Sequence, residues 1–109
     1  MISYYKEAPV QTTSEAMTRK LLAHQGGLMM VEVVFHKASD DPGLHNHPHE
    51  QIAYVTKGSF EFVVEGKSSV LSVGDSIYVA PNVVHGGKPL EDGSTLLDVF
   101  TPQRDDFRV

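Results

Sequence analysis

The sequence predicts an all-β protein, one small barrel or sandwich built around a metal site. Three observations carry this. Short runs of alternating apolar and polar residues are punctuated by Gly, Pro and Asp along most of the chain. The best helical spacing is confined to one short segment, residues 14–24. His45, His47 and Gln51 share one strand parity, and His85 follows a second Gly- and Pro-marked segment.

In chain order, residues 14–24 read either as a short helix or as an extended arm. Over residues 28–38, Met29, Val31, Val33 and Phe35 alternate with Met30, Glu32, Val34 and His36, a strand with one apolar face. The loop Ser39-Asp40-Asp41-Pro42-Gly43 leads into the histidine segment. Residues 52–56, a turn at Lys57-Gly58-Ser59 and residues 60–64 read as a hairpin. Residues 70–73, 77–80 and 95–101 complete the strands, and Phe60, Phe62 and Tyr78 are expected in the core. No repeat or low-complexity tract interrupts the series. The whole is expected to form one domain: an arm and strands over 1–27, the barrel core over 28–101 and a tail over 102–109.

At 109 residues, 40% hydrophobic and 21% charged, the chain has the make-up of one soluble domain. A chain of this length buries roughly 60–70% of the surface it exposes when unfolded, which leaves room for a dimer interface to add stability. The net charge of −5, with scattered Lys and Arg, argues against nucleic acid as a partner. No apolar run approaches the roughly 20 residues of a spanning helix, and the first residues lack the pattern of a signal peptide. A cytoplasmic, unprocessed protein without a membrane partner is expected.

The chain contains no cysteine, so metal donors must be imidazole, carboxylate or amide. On an extended strand His45 and His47 point the same way, roughly 7 Å apart, and a distant strand ending in His85 supplies a third nitrogen. Three neutral imidazoles and a neutral amide from Gln51 leave the charge of a divalent ion uncompensated. Such a site suits electrophilic stabilisation of an anion better than redox cycling. It accepts one transition metal ion per chain, whether Ni, Zn, Fe, Co, Cu or Mn. Glu50 becomes the ligand if the register slips by one. Pro48 separates His49 from the strand pattern, and His24 and His36 have no spacing partners.

On the last strand Asp98 and Phe100 share one face, with Leu97 and Val99 on the other. A carboxylate there must be paired, lie beside a metal or be protonated, because burying it alone is costly. Arg104 is one possible partner. The same Arg could instead hold a ligand carboxylate, or sit at the surface beside Asp105 and Asp106.

These segments resemble the two motifs of the cupin superfamily. The first is carried by His45, His47, Gln51 and Gly58, with Gln in the acidic position; the second by Gly74-Asp75, Pro81 and His85, fifteen residues separating the two glycines. The chain departs from the pattern at Ser39, Ala80 and Pro89, where the motifs carry Gly, Pro and Asn. Arg19-Lys20-Leu21-Leu22-Ala23-His24, residues 47–55, Pro81-Asn82-Val83-Val84-His85 and residues 96–107 resemble the small cupins of pectin and alginate breakdown. The resemblance implies a jelly-roll barrel, a homodimer, metal ligation by His45, His47, Gln51 and His85, proton transfer by Asp98, and substrate contacts from Phe100 and Arg104. The implied activity is metal-dependent ring opening and ketonisation of 4,5-unsaturated monouronates. An iron-dependent dioxygenase, which would consume oxygen, and a non-catalytic sugar sensor are the alternatives.

Overall fold

The alternation at Met29, Val31 and Val33 puts these side chains inside, each no more than 5% exposed, on a strand whose opposite face is partly solvated. In a computed structural model, which describes residues 1–108, that strand is one of nine. In order they are β1 (Val10–Ser14), β2 (Met17–Gln25), β3 (Leu28–Phe35), β4 (Glu50–Lys57), β5 (Ser59–Val64), β6 (Lys67–Ser72), β7 (Ser76–Val79), β8 (His85–Pro89) and β9 (Ser94–Thr101). Single 3-10 turns at Tyr5–Glu7 and Asp105–Phe107 flank them. Every pairing is antiparallel, in a six-stranded sheet of order β1-β2-β3-β9-β4-β7 and a three-stranded sheet of order β6-β5-β8. Among the described residues no helix is long and apolar enough to cross a membrane.

Two apolar clusters fill the interior. One joins Leu21, Met29, Val31, Val33, Phe100 and Phe107; the other joins Ala53, Val55, Phe60, Phe62 and Leu96. Full burial of each large side chain stabilises the fold by roughly 1.5–3 kcal/mol.

One open reading is decided and three sequence expectations need correction. The segment with helical spacing is strand β2, because its register with β3 over Met17–Leu21 directs Met17 and Leu21 into the core, a period of two rather than 3.6. The expected hairpin across Gly58 does not form: β4 pairs with β7 and β9, whereas β5 pairs with β6 and β8. Gly58 adopts φ 71° and packs so closely on Ser94 that a Cβ would collide with it, so the chain changes sheets there. The hairpin lies one strand later, between β5 and β6, where Glu65 and Gly66 both take positive φ as a tight turn demands. Phe60 and Phe62 are buried as expected, but Tyr78 is 55% exposed, since its parity on β7 sends Val79 inward and its own hydroxyl out to Glu50. Finally, His85 opens strand β8 rather than closing a strand.

Candidate metal centre and active site

Two antiparallel backbone hydrogen bonds, His45 N–H to His85 C=O and His85 N–H to His45 C=O, both 2.9 Å, form an isolated bridge that joins the two motif segments. A third bond, from the Asn82 N–H to the His47 carbonyl at 2.7 Å, ties down the rest of the histidine segment. Residues 45–49 are therefore not a regular strand, as their parity had suggested; β4 begins only at Glu50. The side chains converge all the same, and one nitrogen of each of His45, His47 and His85 lies within 4.8 Å of the others.

Each ring is oriented by its own Nδ1, which donates to a carbonyl: His45 to Gly43 at 2.7 Å, His47 to His49 at 3.0 Å and His85 to Val83 at 2.8 Å. That fixes the tautomer and leaves Nε2 with a lone pair. Burial pushes His47 and His85 below the ordinary imidazole pKa, so both are neutral at pH 7. Gln51 Oε1 stands 2.9 Å from Nε2 of His47 and 3.2 Å from Nε2 of His85, while its Nε2 donates to Asp98 Oδ1 at 2.9 Å. Acceptor lone pairs thus face one another with no donor between them. A cation resolves this conflict, and the donor set fits a divalent transition metal.

Register places each remaining group. Gln51 faces inward on β4, 7% exposed, and Glu50 points out. Asp98 sits on β9 between Val31 of β3 and Ala53 of β4, neither more than 1% exposed. Burial pushes its pKa up to about 7, against the opposing hydrogen bond from Gln51 and the charges of Arg104 and Arg19. Phe100 meets the edge of His47 at 5.8 Å. Arg104 is neither simply surface nor paired with Asp98: its guanidinium stacks 4.0 Å from the Phe107 ring, donates twice to Asp106, and still lines the cavity. The other histidines stay apart. His24 bonds the Leu22 carbonyl, His36 contacts Thr18, and His49 presents its ring to His47 with Nδ1 buried and without a partner.

A cavity of about 410 Å³ between the two apolar clusters is lined by His45, Gln51, His85, Asp98, Phe100 and Arg104, among others. Its wall also contains Arg19, to which the sequence reading assigned no role. The signal was present: Arg19 shares a β2 face with Met17 and Leu21, a charge in an otherwise apolar row.

The Cupin domain family matches residues 31–100, the span that holds all four candidate ligands and Asp98. This chain is a cupin. Over 101 residues it is 41% identical to the pectin degradation protein KdgF of Dickeya dadantii (strain 3937), covering 93% of this chain and 92% of that protein. The structure of KdgF from Halomonas sp. superposes with a TM-score of 0.91 at 35% identity, covering 99% of this cupin and 98% of the other chain. An RmlC-like cupin from Shewanella frigidimarina NCIMB 400 gives 0.90 at 34% identity, with 98% and 95% covered. The two sheets of this cupin accordingly form the expected jelly-roll barrel.

Proposed function

We propose that this cupin converts 4,5-unsaturated monouronates derived from pectin or alginate into linear keto uronates, and that one divalent metal ion held by His45, His47, Gln51 and His85 is required. The likeness to pectin degradation proteins supports the substrate class. The observation that carries the chemistry is the buried Asp98 carboxyl, pushed up to about 7 and held against the ligand Gln51 on the cavity wall.

A group with that pKa is present in both protonation states at neutrality, which suits it to act as base and then as acid. Asp98 takes the proton from the anomeric hydroxyl as the C1–O5 bond breaks, leaving an aldehyde at C1 and an enolate at C5. It then delivers the same proton to C4, and C5 becomes the ketone. No atom is gained or lost. Phe100 provides an apolar wall beside the reacting carbons, and Arg104 holds the substrate carboxylate with the N–H groups that Asp106 leaves free. A bound divalent cation supplies positive charge beside the developing negative charge.

The test follows the ultraviolet absorbance of the conjugated double bond in freshly generated unsaturated monouronates. Metal-loaded protein should accelerate its loss above the spontaneous rate, and metal-free protein should not. No acceleration with either pectin- or alginate-derived monouronates would remove this reading.

A further inference from the structure

Arg19 is the one guanidinium on the cavity wall with no hydrogen-bond or ion-pair partner for its side chain among the described residues, and its Nε is buried. Its group lies 3.8 Å from the Phe107 ring centre, and that of Arg104 lies 4.0 Å from the same centre, so the two cations stand within twice that distance of each other. Asp106 and Asp98 lie near enough to attract Arg19, but neither accepts a hydrogen bond from it: Asp106 accepts two from Arg104 and Asp98 accepts one from Gln51. Across the β1–β2 register Gln11 sits directly opposite Arg19, and its Oε1 is a second buried polar atom without a partner.

A half-buried guanidinium whose Nε has no acceptor, close to a second cation, is stabilised by an anion that joins them. The position is held rigidly all the same: Met17 and Leu21 pack on either side along β2, and Phe107 covers the guanidinium face. The cavity wall thus carries two guanidinium groups flanking the Phe107 ring, and an anion in the cavity can take N–H groups from both, the donors that guanidinium offers a carboxylate.

We propose that Arg19 and Arg104 form a two-arginine clamp for the carboxylate of an acidic sugar, so that Arg19 selects uronic acids over their neutral counterparts. This deepens the monouronate reading and rests on it for the identity of the ligand. Arg104, tied to Asp106, sets the orientation. Arg19, with no hydrogen-bond acceptor among the described residues, supplies N–H groups that a neutral sugar would leave without an anionic acceptor.

The experiment uses metal-loaded full-length protein, its Arg19→Met and Arg19→Lys variants, and two kinds of measurement. For turnover of an unsaturated monouronate, Arg19→Met should raise KM by about 10–100-fold with kcat little changed, and Arg19→Lys should recover part of the loss. For binding, calorimetry compares galacturonate with its methyl ester. Wild type should prefer the acid, and Arg19→Met should lose that preference while keeping its affinity for the ester and its metal content. An unchanged KM and an unchanged acid preference in Arg19→Met would overturn the clamp. If wild type turns over no monouronate yet binds galacturonate in an Arg19-dependent way, the clamp stands and the linearisation reading fails. Equal loss of acid and ester binding in both variants would show a packing role only and would also overturn it.

Discussion

Gln51 Nε2 donates a 2.9 Å hydrogen bond to Oδ1 of Asp98, while Oε1 of the same amide faces Nε2 of His47 and His85. One neutral side chain therefore serves two neighbours of different character. Its oxygen faces the candidate metal centre and its N–H holds the Asp98 carboxyl in place. An ionised carboxylate at position 51 could bind a metal but could not donate a hydrogen bond to Asp98.

Gln51→Glu should consequently retain metal, since a carboxylate is a competent ligand, but it sets two acids face to face. They must share a proton, which raises the pKa that governs turnover. The acid limb of the pH–rate profile should move upward by about one pH unit or more. An unchanged profile with full metal content would show that the amide does not orient Asp98.

Asp98→Asn keeps the shape of the side chain and removes its proton chemistry. Turnover should fall by about 10²–10⁴-fold, with metal content and cavity intact. Single-turnover absorbance traces together with metal analysis check this. Near-normal turnover would transfer the proton step to another group.

The same carboxyl makes the stability of metal-free protein depend on pH. Its folded pKa, about 7, lies above the ordinary 3.8, so its contribution is fully present below the unfolded value and is lost as pH rises through 7. Between pH 5 and 8 that loss is on the order of 2 kcal/mol. His47 and His85, whose pKa values are depressed, work in the opposite direction over this range, losing stability as pH falls. Urea unfolding of metal-free wild type and Asp98→Asn isolates the Asp98 part. The variant should gain on wild type as pH increases, and parallel curves would contradict its buried, raised state.

Gly86 on β8 approaches Pro42 so closely that a Cβ would collide with the Pro42 carbonyl. The next residue, Gly43, supplies the carbonyl that holds the Nδ1 of His45. Gly86→Ala should push this loop away, free the His45 ring and weaken metal affinity by about 10–100-fold, the usual effect of losing an outer partner of a ligand. Competition with a chelator measures this. Wild-type affinity in Gly86→Ala would mean that the loop carbonyl does not orient His45.

The parts of this protein legible in its sequence are those with short-range causes. Alternation at Met29, Val31 and Val33 marks a buried strand face whatever strand lies beside it, and the parity of Asp98 and Phe100 puts both on one face of β9. Gln51 and Glu50 point to opposite sides for the same reason.

Sheet membership depends instead on partners far along the chain. Nothing local states that β4 joins β7 and β9 while β5, across Gly58, joins β6 and β8. The Ser94 side chain that presses on Gly58 is more than thirty residues away. Tyr78 was misplaced because an aromatic residue in a short strand suits either face until its pairing with Ile52 is known.

By itself, then, the amino-acid order determined a β-rich chain, a nitrogen-rich set of candidate ligands and an acid that shares a strand face with Phe100, since spacing along an extended backbone fixes which side chains point the same way. Only the tertiary structure decided that the His45–His85 bridge unites the candidate ligands, that Val31 and Ala53 enclose Asp98, and that Arg19 meets Arg104 across Phe107. Those contacts arise where strands distant in sequence pack together, and the burial and charge that define the site exist only once they have done so.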